Sequence, residues 1–309
     1  MPEIVITEFM DEAAIREILA GRDLLYDPKL VDRPNDLLAQ LSDARALIVR
    51  NRTQVRGALL ETARKLEVVG RLGVGLDNID VEACKARGIT VHPASGANDL
   101  SVAEYVITAA LVLLRRAWTA TPEVTAGKWP RMTTIGREIS GKTLGLIGLG
   151  NIARETATRA RALGMQIVAF DPLLPADHAA WQLAKPCALK ELLQAADVVS
   201  LHVPLLPSTK NMIGREQLAS MRRGSIIINA ARGGVLDEDA VIDSLRSGHL
   251  GGAALDVFDT EPLDAVRGAH FAETPNLLLT PHIAGVTEES NVRVSELIAR
   301  RVLGHLAGK

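Results

Sequence analysis

Three ionisable residues, each just past a short apolar run, set the chemistry open to this chain. Arg232 follows IIINAA, Glu261 follows ALDVFDT and His282 follows LLLTP. Arginine grips a carboxylate through two parallel hydrogen bonds, and histidine exchanges a proton near neutral pH. A glutamate beside an imidazole favours its charged form. Such a set can bind an anion and move one proton. Each residue taken singly also has a structural reading: a surface arginine, a turn carboxylate before Pro262, a buried neutral histidine.

A second motif speaks to a cofactor. Gly148-Leu149-Gly150-Asn151-Ile152-Ala153 follows TLGLI and opens a helical pattern. The first glycine permits the tight turn, and the second lets a pyrophosphate approach the backbone at the positive end of the helix. Ala153 stands where a third glycine is commoner and is small enough for helix–strand packing. Asp171 comes about 20 residues later at the end of the next apolar run, where a carboxylate can bond both ribose hydroxyls. That carboxylate repels a 2′-phosphate, and Asp171-Pro172-Leu173-Leu174 offers no arginine to receive one. The expected cofactor is NAD.

These residues need strands to carry them. Short apolar runs bounded by Gly, Pro or Asp mark buried parallel strands. They are expected at 4–7, 46–50, 66–73, 89–94, 143–150, 166–171, 197–204, 224–231, 251–258 and 276–285. The pattern is α/β, with ligands expected outside the carboxyl ends of the strands. Arg232, Glu261 and His282 end consecutive strands and so converge on one crevice. Asp11 is positioned to cap a first helix running to Ala20. A helix over about 101–118 is apolar on more than one face, so it is buried in its domain or against a second subunit. The closing helix, 288–306, is expected to return to the N-terminal domain. The reading is two doubly wound parallel-sheet domains: a Rossmann NAD domain, 98–284, inserted into a discontinuous flavodoxin-like substrate domain, 1–97 and 285–309.

Composition narrows the classes. The 309 residues carry 35 Lys+Arg against 37 Asp+Glu, a net charge of −2 that argues against a nucleic-acid coat or polybasic membrane-surface protein. Aromatics at 3% leave no base-stacking platform. The longest apolar run, Val102 to Leu114, is broken by Glu104 and Thr108 and falls short of the ~20 residues a bilayer span needs. The opening MPEIVITEFM lacks the basic start of a signal peptide. Cys84 and Cys187 have no metal-ligand spacing, so no metal and a reducing, cytoplasmic setting are expected.

Taken together, the motifs resemble the D-isomer-specific 2-hydroxyacid dehydrogenases, most closely the phosphoglycerate dehydrogenase branch. The likeness rests on Gly73-Val74-Gly75-Leu76-Asp77-Asn78-Ile79-Asp80, Gly141-Lys142-Thr143-Leu144-Gly145, the glycine turn, His202-Val203-Pro204-Leu205, Asn229-Ala230-Ala231-Arg232-Gly233-Gly234, Ala254-Leu255-Asp256-Val257-Phe258, Glu261-Pro262 and Pro281-His282. It implies that Arg232 binds the substrate carboxylate and that His282, paired with Glu261, is the general acid/base. It places Asp256 at the nicotinamide and lines the cofactor with Gly148, Gly150, Asn151, Ile152, Asp171, Val203, Ala230, Ala231, Arg232, His282, Ile283, Ala284 and Gly285. It also implies substrate contacts at Arg50, Arg52, Val74 and Gly75. Val74 stands where related enzymes place a polar residue, which weakens a side-chain role there. Glu261 replaces the glutamine of formate dehydrogenases and argues against that reaction.

Basic residues between Asp43 and Arg71 (Arg45, Arg50, Arg52, Arg56, Arg64, Lys65, Arg71) outnumber acids. Arg50 ends a strand and matches a substrate-anion arginine of phosphoglycerate dehydrogenases. A second basic cluster suits a dianionic C3 acid, either 3-phosphoglycerate or 3-sulfolactate. The end of the chain at Lys309, with no appended regulatory domain expected, favours a catabolic role. The opening stretch is similar to that of sulfolactate-oxidising members. The S label agrees, because the CH2-sulfonate arm outranks carboxylate and renames the D arrangement. The family implies a homodimer, or a dimer of dimers, packed through the helix at 101–118. The same fold also serves NAD-sensing corepressors, and turnover separates that reading from an enzyme.

Overall fold

The computed structural model describes residues 2–116, 118 and 120–308, and these divide into two compact units. One comprises the chain up to Asn98 together with the segment from Val286 onward, the other Asp99–Gly285. The first unit contains β1 (Ile4–Ile6), α1 (Glu12–Ile18), β2 (Leu24–Tyr26), α2 (Pro34–Gln40), β3 (Ala46–Val49), α3 (Ala58–Thr62), β4 (Val68–Arg71), α4 (Val81–Ala86) and β5 (Thr90–Pro93). The second contains α5 (Asp99–Arg115), α6 (Thr121–Thr125), β6 (Thr143–Ile147), α7 (Asn151–Ala162), β7 (Gln166–Phe170), β8 (Lys185–Pro186), α8 (Leu189–Ala195), β9 (Val198–Leu201), α9 (Arg215–Ser220), β10 (Ile226–Asn229), α10 (Glu238–Arg246), β11 (Gly252–Leu255), α11 (Ala265–Phe271) and β12 (Leu277–Leu279). The last helix, α12 (Glu288–Ala307), belongs to the first unit.

In the first unit five parallel strands run in the order β2-β1-β3-β4-β5, the flavodoxin-like arrangement. Alternation of side chains splits its apolar residues between two cores. Ile4, Ile6, Ala46 and Ile48 pack on Val294, Ile298 and Val302 of α12. Val5, Leu47 and Val49 pack on the opposite face with Leu60, Val69 and Ile89. Burial on both faces is why these strands read as continuous apolar runs. Asp11 caps α1 by accepting the Ala14 N–H at 2.9 Å, and α12 is pinned through Ser295 to the Asp11 N–H.

In the second unit seven parallel strands run in the order β12-β11-β10-β9-β6-β7-β8. Chain direction across the sheet reverses at β6, which pairs with β7 on one side and β9 on the other. This is the topological switch point at which Rossmann sheets bind ligands.

Two strands escaped the sequence reading. β2 and β8 are edge strands of three and two residues, too short to show a period. The helix expected at 101–118 spans Asp99–Arg115, and Ala117 lies outside the described residues. Val106, Ala109, Ala110, Leu113 and Leu114 are buried inside its own unit, in one core with Ala153 and Ala157 of α7, while Leu111 and Val112 are half-buried and Leu100 is exposed. Among the described residues no helix is long and apolar enough to cross a membrane.

Candidate active site

The glycine turn leaves β6 at the switch point. Gly148 adopts φ +89°, and a Cβ there would meet the His202 carbonyl oxygen at 2.6 Å and Val203 at 3.0 Å. Only glycine fits such a position. A Cβ on Gly150 would meet nothing within 4 Å, so the space beside the start of α7 is open. Gly150 offers no side chain to cap α7, leaving the first-turn N–H groups for an anion. Asn151 and Ile152 form that first turn, and buried Ala153 packs against the sheet. Asp171 is tied from both sides, with Oδ2 accepting the Leu149 N–H at 2.9 Å and Oδ1 the Leu173 N–H at 3.0 Å. Each oxygen keeps a lone pair for a ribose hydroxyl. These residues fit a dinucleotide with a free 2′-hydroxyl.

Past the ends of β10, β11 and β12 lie the three ionisable residues. Asn229, buried at the end of β10, accepts the Ala231 N–H at 3.1 Å and donates to the Arg232 carbonyl at 2.9 Å. It thereby shapes the turn that presents Ala230, Ala231 and Arg232. Gly233 lets the Phe258 backbone approach, since a Cβ there would meet its carbonyl oxygen at 1.9 Å. Asp259 crosses between loops, accepting the Gly234 N–H at 2.7 Å while donating its own N–H to Glu238 at 2.7 Å. The nearly buried Glu238 carboxylate is paired with Arg267 at 2.6 Å.

Glu261 accepts the Phe258 N–H through Oε1 at 3.0 Å and meets His282 Nδ1 through Oε2 at 2.7 Å. The carboxylate assigns the proton of a neutral imidazole to Nδ1 and leaves Nε2 as the exchanging nitrogen. Both side chains remain about a third exposed, 30% for Glu261 and 37% for His282, so the pair is open to a small molecule. Burial pushes the Glu261 carboxyl up, but the His282 hydrogen bond and charge, the Phe258 N–H and the Arg232 charge outweigh it and leave it below its ordinary value. It is ionised wherever a histidine titrates.

His282 carries φ +56°, a left-handed backbone that costs a residue with a side chain roughly 1–2 kcal/mol. Asp256 holds it there. Its carbonyl accepts the His282 N–H at 2.8 Å, Oδ1 the Ile283 N–H at 2.8 Å and Oδ2 the Ala284 N–H at 2.8 Å. Burial raises the Asp256 carboxyl despite these donors and Thr280.

The expected substrate residues Arg50, Arg52, Val74 and Gly75 all lie in the first unit. Buried Glu8 accepts the N–H groups of Arg50, Arg52 and Thr53 at 2.9, 3.1 and 3.0 Å, and Asn78 donates to the carbonyls of Arg50 and Thr53. Arg50 donates to Asn291 at 2.7 Å and lies over the Phe9 ring at 5.8 Å. Arg52 is instead paired with Asp32. Much of the expected basic cluster is likewise neutralised, Arg45 by Glu3 and Glu67 and Lys65 by Asp43. Gly73 makes room for the Arg71 guanidinium, which a Cβ would strike, and Val74 is exposed on the following turn.

Residues 107–284 match the NAD binding domain of the D-isomer specific 2-hydroxyacid dehydrogenases. The chain belongs to that family. It is an NAD-dependent 2-hydroxyacid dehydrogenase. It is 52% identical over 308 residues to the (S)-sulfolactate dehydrogenase of Chromohalobacter salexigens, covering 98% of this chain and 99% of that protein. To the D-3-phosphoglycerate dehydrogenase of Methanocaldococcus jannaschii it is 38% identical, but the match spans 58% of that longer protein. Among solved structures, the D-lactate dehydrogenase of Aquifex aeolicus, complexed with NAD and lactic acid, superposes with a TM-score of 0.87 at 29% identity, covering 99% of this chain and 96% of that one.

Residues absent from the sequence reading support this site. Asp259 and Glu238, bonded to groups 21 to 29 residues away, and Tyr105 and Thr280, whose hydroxyls lie 2.6 Å apart, make contacts that residue spacing alone does not reveal.

Proposed function

We propose that this dehydrogenase oxidises (S)-3-sulfolactate to 3-sulfopyruvate. Its reaction rests on the 2.7 Å contact of Glu261 with His282 beside the Arg232 turn, and its substrate on the full-length likeness to a sulfolactate dehydrogenase. Gly148, Gly150, Asn151 and Ile152 hold the pyrophosphate, Asp171 the ribose, and Val203, Ala230, Ala231, Ile283, Ala284 and Gly285 the remainder of the cofactor. When bound, NAD supplies the acceptor for the hydride leaving the substrate carbon.

Arg232 receives the substrate carboxylate and polarises the reacting C–O bond. Neutral His282 takes the hydroxyl proton at Nε2 as the carbonyl forms, and in the reverse direction the imidazolium returns it. Glu261, ionised throughout, stabilises the imidazolium and keeps the ring oriented. Arg50 is assigned to the distal anion, its guanidinium steadied by Asn291 and Phe9. Arg52, already paired with Asp32, is the weaker assignment of the two.

Steady-state kinetics with NAD on racemic 3-sulfolactate and racemic 3-phosphoglycerate test the substrate. The reading expects kcat/KM to favour the sulfonate by at least tenfold. Turnover of phosphoglycerate alone removes it and leaves the phosphoglycerate reading standing.

We also propose a homodimer. Its contact includes the outer side of α5, where Leu100 is exposed and Leu111 and Val112 are half-buried, and the segment after it, where Trp129, Met132 and Ile135 are 80%, 77% and 62% exposed. Large apolar side chains grouped at a surface mark a protein contact.

A further inference from the structure

Behind His282 lies a hydrogen-bonded chain whose two hydroxyls, of Thr280 and Tyr105, none of the assigned roles uses. Asp256 Oδ1 accepts from the Thr280 hydroxyl at 2.6 Å, and that hydroxyl is 2.6 Å from the Tyr105 hydroxyl on α5. Thr280 has one proton, and it goes to the carboxylate, so Tyr105 must donate to Thr280. Burial pushes the Tyr105 phenol up to about 12, so it remains a donor at any working pH. The direction is therefore fixed: Tyr105 to Thr280 to Asp256.

Asp256 is 1% exposed, and its carboxylate accepts from Thr280, Ile283 and Ala284, while its carbonyl accepts from His282. The three consecutive N–H groups of residues 282–284 all point at this one residue, forming a nest around it. A carboxylate has about four lone-pair sites. With three filled by the protein, its main task is to hold a backbone. The backbone it holds is the left-handed segment that carries the imidazole, at φ +56°.

We propose that Tyr105 and Thr280 are positioning residues for His282: their hydroxyls orient the Asp256 carboxylate, which fixes the 282–284 backbone and so the direction of the imidazole. This rests on the reading of His282 as the proton carrier. Loss of the Thr280 hydroxyl leaves Asp256 free to rotate off one N–H, and the imidazole swings with the turn. Loss of the Tyr105 hydroxyl acts one step further back and more weakly.

The test is a kinetic series on the full chain: Thr280→Val, Thr280→Ser, Tyr105→Phe, His282→Ala and the double variant Thr280→Val/His282→Ala. Loss of a hydrogen bond to a charged group predicts that Thr280→Val lowers kcat by about ten- to a hundredfold. NADH affinity, read by fluorescence titration, should fall by less than kcat does, since Ile283 and Ala284 on the loosened segment are only two of the residues assigned to the cofactor, and KM should stay near wild type. Thr280→Ser keeps the hydroxyl and restores the rate, and Tyr105→Phe gives a smaller loss in the same parameter. In the His282→Ala background Thr280→Val should cost nothing further, because the group it positions is gone.

A Thr280→Val enzyme with wild-type kcat overturns the proposal, as does an equal loss in both backgrounds, which marks a purely structural role. Should Thr280→Val fail to fold, Tyr105→Phe with its own His282→Ala double carries the same comparison. His282→Ala retaining more than a tenth of the wild-type rate removes the underlying reading instead, so the two failures are distinct.

Discussion

The least ambiguous residue-scale contact is the 2.7 Å one between Glu261 and His282. If His282 moves the proton, His282→Ala should lower kcat/KM by at least ~10²-fold, the lower end of general acid–base catalysis, with NADH binding intact. Retention of more than a tenth of the rate contradicts the role. A second histidine makes a pH prediction. His202, hydrogen-bonded to Ser200 at 2.9 Å, is pushed down to about 4 by burial alone. In the unfolded chain it titrates near 6.5, so between those values the unfolded state binds the extra proton and stability falls with falling pH. Linkage sets the loss at roughly 3 kcal/mol once pH reaches the lower value. Urea unfolding between pH 7 and pH 4 should show this decline, and His202→Gln should flatten it. A wild-type profile as flat as the variant's contradicts the assignment.

At the scale of elements, β4 and α12 approach each other closely in the first unit. A Cβ on Gly70 would meet Ile298 and Val302 at 2.5 and 2.9 Å. Overpacking of this kind costs about 1–3 kcal/mol, so Gly70→Ala should lower the denaturant midpoint without changing the slope. An unshifted midpoint would show that the helix is held less closely than the geometry says. The same elements show what a sequence discloses. The strands leading to Arg232, Glu261 and His282 were legible because burial makes each a short apolar run, with its functional residue in the loop that follows. Asp171 was legible because it follows the short apolar run of β7 at the spacing a ribose-binding carboxylate keeps from a glycine turn. β2 and β8 were not, since two or three residues at a sheet edge bury too little to leave a pattern. Tyr105 and Thr280 were invisible as a pair because 175 residues separate them. The pairing of Arg52 was not legible because its partner Asp32 lies outside the basic stretch. A net count of local charge cannot show which charges are already neutralised.

At the scale of the whole molecule, one face of α5 is used inside its own unit, and the proposed dimer contact extends from its outer side to the exposed Trp129, Met132 and Ile135 of the segment that follows. Replacing Trp129 and Met132 together by glutamate should therefore convert a dimer to a monomer in light scattering coupled to size exclusion. A dimer unchanged by both substitutions places the contact elsewhere. The near-zero net charge of −2 is consistent with a small anionic substrate held by individual arginines rather than by a general field. In the proposed function an NAD turn, a proton carrier and a carboxylate-binding arginine act together on one hydroxy acid of one hand. The most direct measurement of this function is NADH formation from the separated enantiomers of 3-sulfolactate. The S enantiomer should be oxidised to completion in the presence of a carbonyl trap and the R enantiomer left untouched. Oxidation of the R enantiomer, or of D-3-phosphoglycerate with neither sulfolactate consumed, would contradict it.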